Sequence, residues 1–419
     1  MEHELTVAQI TNSLLPNSDL NKYRFNNSYY NNFYNGVNRK NTDAIKWDNL
    51  TNGQEDLEKV DILPFWIADS DYQTADFIIN DLIERVKHGA FGYTYCSDGY
   101  YDTIKNWVKR RYDYDIDKEW IIPTHGVVTA LDILVKLLTE ENDNIVVSTP
   151  VYNPFFNVVT NNRRTLICNK LKEIEDSYQI DFCDLEDKLK NAKMYILCNP
   201  HNPIGRVWTK EEIDKIVSLC KKYDIILLSD EIHCDLIMDG KKHYSVGHHL
   251  NDYDKIAICT APSKVFNLAG LMNANVICKN EEYRKRYQDL QHGMSLSTPN
   301  LLSLVACESA YKKGDQWVDV QNEYLTENRD IVYKFFKDNL PKTKLYKLEG
   351  TYLMWINVTY LDLEQEELLN HLLKGGIKVN SGMVYSSDYK GYIRLNIATS
   401  REYLLEGLER IKKVLISLE

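Results

Sequence analysis

Three short apolar runs in the sequence each lead directly into a cluster of polar, turn-forming residues. The runs and the clusters that follow them are 194–198 with 199–206, 225–229 with 230–235, and 256–260 with 261–264. These clusters contain, in chain order, the amide of Asn202, the carboxylate of Asp230 and the amine of Lys264. A lysine amine can act as a nucleophile towards a carbonyl group, and the amide and carboxylate can hydrogen-bond a polar ring. The combination predicts a site for covalent catalysis by a lysine.

Each cluster taken alone also has an ordinary structural interpretation. The pattern Asn-Pro-x-Asn-Pro-x-Gly at 199–205 consists of residues that are typical of tight turns. Asp230 alone would serve as a helix N-cap, and Lys264 alone would be a solvated side chain. Ligands of open α/β sheets bind at the carboxyl ends of the strands, where all three clusters are predicted to lie. Their occurrence in succession therefore favours the interpretation as a functional site.

The elements that must position these clusters are predicted from the periodicity of the sequence. A further apolar run, 144–148, resembles the other three, and β-branched runs of this kind are typical of parallel strands buried on both faces. Amphipathic stretches between the runs predict helices, and one of them opens with Thr209 and Glu212, the pattern of a capping box. Residues 62–310 are predicted to form a large α/β domain with a mostly parallel sheet flanked by helices.

The two ends of the chain differ from this central part in composition and in the pattern of predicted elements. Residues 1–30 are polar and rich in Asn and Tyr, with one apolar piece at 7–15, and predict an arm that is weakly ordered or lies along the surface. We assign residues 1–61 to this arm and to part of a small domain. The region 311–419 mixes predicted helices and strands and is assigned to a smaller C-terminal α+β domain, with helices at 316–339, 364–374 and 401–416 and strands at 352–356 and 392–397.

Composition excludes several classes of function. The formal net charge of −11 argues against a nucleic-acid partner, because neutralising phosphates requires a basic surface. No apolar run approaches the roughly 20 residues of a membrane helix, and the N-terminus lacks the pattern of a signal peptide, so we expect a cytoplasmic protein without a membrane partner. The nine cysteines form no Cys-x-x-Cys pair and are expected to be reduced thiols. No His/Cys cluster has zinc spacing, so we expect no metal site.

The chain resembles the pyridoxal-phosphate (PLP) enzymes of fold type I, in the class I/II aminotransferase superfamily. Within that superfamily it is most similar to the cystathionine β-lyase and cysteine-S-conjugate β-lyase subgroup, the MalY/PatB-like proteins. The similarity extends from about Lys46 to the C-terminus. It is carried by the motifs at 63–69, 91–94, 126–128, 149–155, 199–205, 230–233, 261–270 and 394–399. The resemblance implies a large domain with a seven-stranded type of sheet, the smaller α+β domain, and PLP as the cofactor.

The resemblance also assigns roles around the cofactor ring. Lys264 would hold PLP as a Schiff base and then remove the Cα proton of the substrate. Asp230 would bond the pyridine nitrogen and keep it protonated, which makes the ring an electron sink. Asn202 would donate to the ring O3′, His233 would support Asp230 or the ring, and Tyr152 would stack on the ring face, although a plain core position is the competing interpretation for Tyr152.

The remaining assignments concern the phosphate, the substrate and the partner subunit. A helix predicted from 129 to 138 would direct backbone N–H groups of Gly126, Val127 and Val128 at the phosphate, and Ser263 would add a hydroxyl. By resemblance, Tyr93 would reach the phosphate of a neighbouring subunit, which implies a homodimer with shared sites. Arg394 would grip the α-carboxylate of a small amino-acid substrate, together with Asn202.

Two reactions remain compatible with these residues. Elimination would cleave cystathionine or another cysteine S-conjugate to a thiol, pyruvate and ammonia, whereas an aminotransferase would use an amino acid and a 2-oxo acid. Met272 stands where many aminotransferases have a phosphate-binding arginine, eight residues after the lysine, and favours the lyase. Two differences from the lyase subgroup leave the identity of the sulfur substrate open. Asn153 stands where some lyases have a second tyrosine, and the usual run Ala-Asp-Met-Asp-Phe is Ala-Asp-Ser-Asp-Tyr at 68–72. A third hypothesis, a regulatory protein that keeps PLP without turnover, is disfavoured by the intact set Lys264, Asp230, Asn202 and Arg394.

Overall fold

The computed structural model describes residues 28–51, 57 and 59–419. The predicted arm, with its apolar piece at 7–15, therefore lies almost entirely outside the described residues. Its last residues begin a short helix, Ser28–Asn35. The assignment of residues 1–61, 62–310 and 311–419 to separate structural parts remains a prediction.

A seven-stranded sheet forms the centre of the molecule. Its strands are β1 (Ile121–Thr124), β2 (Asn144–Thr149), β3 (Thr165–Lys170), β4 (Met194–Cys198), β5 (Ile226–Asp230), β6 (Ile256–Thr260) and β7 (Ala274–Cys278). They lie in the order β1-β7-β6-β5-β4-β2-β3. The pairs from β3 across to β6 are parallel, and β7 runs antiparallel to both of its neighbours. The predicted mostly parallel sheet of fold type I is confirmed.

The sheet is buried on both faces, as the continuous apolar runs predict. Every residue of β4, β5, β6 and β7 is buried, and a separate apolar cluster covers each face. The helices of the described chain are Ser28–Asn35, Ile45–Asp48, Asp76–Lys87, Asp98–Tyr112, Val127–Leu138, Pro154–Thr160, Phe182–Leu189, Lys210–Tyr223, Glu281–Gly293, Leu301–Lys313, Asp315–Asn339, Gln365–Lys374 and Arg401–Ser417. The predicted capping box is present, with Thr209 Oγ1 accepting from Glu212 N.

The C-terminal part contains a second sheet of four strands. They are β8 (Lys344–Leu345), β9 (Leu353–Asn357), β10 (Asn380–Ser381) and β11 (Tyr392–Asn396), in the antiparallel order β8-β9-β11-β10. The short strand Leu63–Pro64 pairs in parallel with Ile377–Lys378, so residues early in the chain also contact this part. A hairpin, Lys172–Ile174 with Ser177–Gln179, completes the strands of the described residues.

Two element boundaries differ from the sequence prediction in ways that affect the site. The helix expected from residue 129 begins at Val127, because burial of that side chain outweighs the weak helix propensity of a β-branched first turn. The apolar run 225–229 forms a strand one residue later than predicted, Ile226–Asp230, and this strand includes Asp230. The carboxylate of Asp230 is therefore placed by the sheet itself and not by a loop.

Within the described ranges, no helix combines the length and apolarity that a bilayer crossing requires. All nine cysteines lie in the described residues and are free thiols.

Candidate active site

Asp230 is the last residue of the central strand β5 and is almost fully buried. It lies between Cys198 of β4 and Cys259 of β6, its partners in the sheet register. Burial among these weakly polar groups raises the pKa of the Asp230 carboxyl to about 7, and the charge of Glu231 raises it further. A hydrogen bond of 3.1 Å from Ile232 N opposes this shift. A cationic partner would therefore be strongly favoured at this carboxyl.

Lys264 lies in the loop that follows β6. Its Nζ donates a hydrogen bond of 2.7 Å to the carbonyl of Ala68. Burial lowers the pKa of the Lys264 amine to about 8, and the positive charge of Arg394 lowers it as well, whereas the carboxylates of Asp69 and Asp230 raise it. The neutral form of this amine, which is the form that attacks a carbonyl, is consequently much more populated near neutral pH than in an ordinary lysine.

Arg394 lies in β11 and brings the C-terminal sheet to the same site. Its Nη1 donates to Asn202 Oδ1 at 3.1 Å, and its Nη2 donates to the Trp66 carbonyl at 2.6 Å. The guanidinium lies 5.1 Å from the ring centre of Tyr385 and is buried. An arginine fixed in this way presents a planar, permanently charged group that suits a carboxylate.

A space suited to an anion lies at the start of the helix Val127–Leu138. Gly126 precedes that helix with a φ of +112°, and a Cβ added to it would meet no atom within 4 Å. The first N–H groups of a helix have no partner inside the helix and point towards such a space. Ser263 is buried, and its hydroxyl donates to the Asn273 carbonyl at 3.4 Å.

Two predicted ring-contacting residues have strongly shifted pKa values. Burial raises the pKa of Tyr152 to about 12, and the nearby charge of Asp230 adds to the shift. Burial also lowers the pKa of His233 well below its usual range, as do the charges of Lys264 and Arg394, so its imidazole is neutral. The ring of His233 packs edge-on against Tyr352 at 5.9 Å between centroids.

Tyr93 is placed differently from the other predicted residues. Its side chain is fully exposed, in a stretch of the chain that forms neither helix nor strand. It lines a surface groove of about 620 Å³ with His292, Ser295 and residues 297–302. That groove contains none of the residues described above, so within one chain Tyr93 is separate from them.

Two neighbours of the site, Asp69 and Tyr352, were not assigned a role by sequence reasoning. Asp69 is held by two hydrogen bonds of 2.8 Å from Arg39 and adds negative charge near Lys264. Tyr352 donates to the Ala68 carbonyl at 3.0 Å, the same oxygen that accepts from Lys264. The sequence did contain a signal for Asp69, because carboxylates are unusual in an apolar segment such as 63–72. No local pattern marked Tyr352.

The residues present fit the chemistry of PLP. A buried carboxylate with a raised pKa suits the cationic ring nitrogen, and a partly neutral buried amine suits attachment to the aldehyde. The open space beside Gly126 at a helix N-terminus suits the phosphate. Within the described part of the chain, no group of His, Cys, Asp or Glu is arranged to hold a metal ion.

The fold and the site together define a PLP-dependent enzyme of fold type I. The model of the family "Aminotransferase class I and II" matches residues 68–411, and the chain belongs to this family. It is 37% identical over 381 residues to cystathionine beta-lyase PatB of Bacillus subtilis (strain 168), which covers 90% of this chain and 98% of that protein.

Solved structures give the same result. Cystalysin from Treponema denticola, described as containing a pyridoxal 5′-phosphate cofactor, is 35% identical with a TM-score of 0.89 and covers 92% of this chain and 99% of its own. The PLP-bound C-S lyase from Staphylococcus hominis is 32% identical with a TM-score of 0.86 and covers 92% of this chain and 98% of its own. The resemblance inferred from the sequence motifs is confirmed.

The lowered pKa of Lys264 gives a testable pH dependence. Only the neutral amine attacks the PLP aldehyde, so the rate at which apoprotein captures PLP covalently should rise with pH and level off above a midpoint of about 8. Stopped-flow absorbance would measure this rate. Asp69→Asn removes a charge that raises the pKa and should move the midpoint to lower pH. A midpoint near 10.5, the ordinary lysine value, would contradict the assignment.

Proposed function

We propose that the protein is a PLP-dependent carbon–sulfur β-lyase that cleaves cystathionine or another cysteine S-conjugate. The observation that carries this proposal is the meeting of Lys264, Asp230, Asn202 and Arg394 at one end of the sheet. Lys264 and Asp230 are linked by their mutual effect on pKa, and Asn202 and Arg394 by a direct hydrogen bond. The relatives named as lyases support the choice of reaction. PLP, when bound, supplies the electron sink that lets a proton leave Cα and a thiolate leave Cβ.

Arg394 binds the α-carboxylate of the substrate. Its guanidinium is fixed by hydrogen bonds to Asn202 and to the Trp66 carbonyl. A carboxylate bound at a fixed position orients the Cα–H bond of the amino acid towards Lys264. Holding the Cα–H bond and the catalytic amine in the right relative position is a major source of rate acceleration.

Lys264 Nζ moves the proton at Cα. The reduced pKa of its amine makes the free base available near neutral pH, which is the condition for efficient general base catalysis. The Ala68 carbonyl, which accepts from Nζ at 2.7 Å, holds the amine in place when it is not bonded to the cofactor.

Asp230 holds the proton on the pyridine nitrogen. Its carboxylate is placed by the buried end of β5. Burial disfavours the ionised carboxylate, and a protonated pyridine nitrogen beside it would favour that form again. With PLP bound, Tyr152 would stack on the ring, Asn202 would donate to O3′, and the N–H groups at Gly126, Val127 and Val128 with the Ser263 hydroxyl would hold the phosphate. His233, which is neutral, supports the ring side of Asp230.

Met272 distinguishes the lyase from its alternative, a PLP-dependent aminotransferase. The side chain is more than half exposed and its backbone is left-handed, with a φ of +52°. This position offers no cation to the phosphate, where many aminotransferases have an arginine. The substitution supports elimination, although both reactions use the same residues around Cα.

A product assay tests the proposed reaction. The PLP-loaded protein is incubated with L-cystathionine, and separately with L-cysteine, without any 2-oxo acid. Cystathionine and water should give homocysteine, pyruvate and ammonia in equal amounts. Turnover that begins only after a 2-oxo acid is added would identify an aminotransferase. The absence of turnover under both conditions would exclude both reactions for these substrates.

Arg394→Lys tests carboxylate binding. A lysine keeps the charge but loses the two parallel N–H groups, and its shorter reach leaves Asn202 Oδ1 without its donor. We expect kcat/KM for L-cystathionine to fall about 10²-fold, mainly through KM, since truncating one partner of a buried charged pair costs roughly 2–5 kcal/mol. Arg163→Lys, at an exposed ion pair with Glu141, is the matched control and should leave the kinetics unchanged. An unchanged KM in Arg394→Lys would contradict the role.

We also propose a homodimer with shared sites. The support is an exposed apolar surface that includes Phe91, Tyr93 and Tyr95, with Met272 and Met294 also exposed. Isolated chains rarely expose large aromatic side chains together, and such surfaces mark interfaces. In the dimer, Tyr93 reaches the phosphate of the partner's site. A cytoplasmic location belongs to the same proposal and is supported by the nine free thiols.

A further inference from the structure

The two loops that carry Tyr152 and Asn202 meet at the point where the order of the sheet reverses. Strand β2 has β3 on one side and β4 on the other. The connection from β2 to β3 therefore runs towards one edge of the sheet, and the connection from β3 to β4 runs back past β2 towards the other edge. Ligands of open α/β sheets bind in the crevice at such a point. The loop after β2 contains Tyr152 and the loop after β4 contains Asn202, so their separation sets the width of this crevice.

One side chain bridges these two loops. His201, next to Asn202, is buried, and its Nε2 donates a hydrogen bond of 2.8 Å to the carbonyl of Pro150, two residues before Tyr152. A carbonyl can only accept, so Nε2 carries the proton. Burial lowers the pKa of His201 to about 4, which keeps the imidazole neutral over the ordinary pH range.

His201 itself is held firmly in its own loop. Its backbone N–H donates to the Arg206 carbonyl and its carbonyl accepts from Gly205 N, both at 2.8 Å. Its ring packs edge-on against Trp208 at 5.4 Å between centroids. Trp208 Nε1 in turn donates to the Cys198 carbonyl at 2.9 Å, which connects this packing to the end of β4. The imidazole is therefore a rigid support for the loop that it contacts.

The loop after β2 has few other connections of this kind. Val151 N donates to the Tyr385 carbonyl at 3.1 Å, on the side of the C-terminal sheet. The bond from His201 to Pro150 supplies the connection on the side of Asn202. Both bonds are made by residues within two positions of Tyr152 in the chain.

We propose that His201 is a positioning residue, which ties the loop of Tyr152 to the loop of Asn202 and so fixes the ring-stacking tyrosine. Its effect on turnover rests on the proposed function, whereas its effect on the loop is a property of the apoprotein. The two can therefore be measured separately.

Hydrogen exchange of the apoprotein, followed by mass spectrometry, tests the connection itself. His201→Phe keeps a ring but removes the donor, and His201→Gln keeps an N–H donor of similar reach. We expect exchange in residues 149–157 to become about threefold faster or more in His201→Phe and to stay close to wild type in His201→Gln. Exchange in β5 serves as the internal control and should not change. Unchanged exchange at 149–157 in His201→Phe, or equal acceleration in both variants, would overturn the proposal.

A double-mutant cycle tests whether His201 acts through Tyr152. With L-cystathionine, His201→Phe should lower kcat about tenfold, since small misplacements in an active site are costly, and should change the visible circular dichroism of bound PLP. In a Tyr152→Ala background the same substitution should have little further effect on either readout. Additive effects would overturn the proposal. If His201→Phe does not fold, His201→Asn replaces it, because its amide is too short to reach Pro150 and should give the same losses. Absence of lyase activity in the wild type would remove only the kinetic readout and leave the exchange result decisive.

Discussion

Replacing Lys264 with Ala should abolish turnover of L-cystathionine, with kcat reduced by at least about 10³-fold. On the proposed assignment, the substitution removes both the covalent attachment of PLP and the base that takes the Cα proton, and general base catalysis alone contributes about 10²- to 10⁴-fold. The variant should still bind PLP, but without the visible absorbance of the lysine imine. Steady-state pyruvate formation and an absorbance spectrum of the purified variant would measure both effects.

Small amines provide a sharper version of this experiment. If Lys264 Nζ moves the proton, added methylamine should restore part of the activity of Lys264→Ala in proportion to its free-base concentration. Lys136→Ala, which removes an exposed lysine from the helix Val127–Leu138, should behave as wild type. Activity of Lys264→Ala within tenfold of wild type would contradict the role of Lys264.

Asp230→Asn should produce the second largest loss. The amide keeps the size of the side chain but removes the charge that we propose holds a proton on the ring nitrogen. We expect kcat to fall at least about 10²-fold, the scale seen when one preorganised electrostatic group is lost from a water-excluded site. Asp230→Glu retains the charge and should recover a large part of the activity. The comparison of the two variants separates charge from geometry.

The pKa of Asp230 adds a pH test to the same pair. Because burial raises this pKa to about 7, the carboxyl of the apoprotein is ionised mainly above pH 7 and protonated below it. The affinity of wild-type apoprotein for PLP should therefore weaken as the pH falls through about 7, and this step should be absent in Asp230→Asn. Equilibrium titration followed by fluorescence would measure it. A step of equal size in both proteins would show that another group is responsible.

The sequence was sufficient to predict the sheet and the residues at its strand ends. Continuous apolar runs identified β4, β5 and β6 to within one residue, because a strand buried on both faces allows few polar side chains. The same reasoning placed Asn202, Asp230 and Lys264 at a common edge of the sheet. The structure agrees with this placement, since Asp230 pairs directly with the last residue of β4.

Contacts between distant segments could not be predicted in this way. Arg394 and Asn202 are 192 residues apart and meet only when the C-terminal sheet packs on the large one. The bond from His201 to Pro150 joins residues 51 positions apart, and neither residue type requires it. Local patterns describe periodicity and turns, whereas these contacts depend on the tertiary packing of whole elements. Local patterns are equally uninformative about Tyr93, because its predicted contact is with another chain.

The most direct test of the central claim is to locate the lysine that carries PLP. The purified protein is loaded with PLP, reduced with borohydride to fix the carbon–nitrogen bond, digested and analysed by mass spectrometry. We predict a phosphopyridoxyl group on Lys264, with one group per chain and none in Lys264→Ala. Modification of a different lysine, or no modification of a protein that binds PLP, would contradict the assignment of Lys264 as the catalytic lysine.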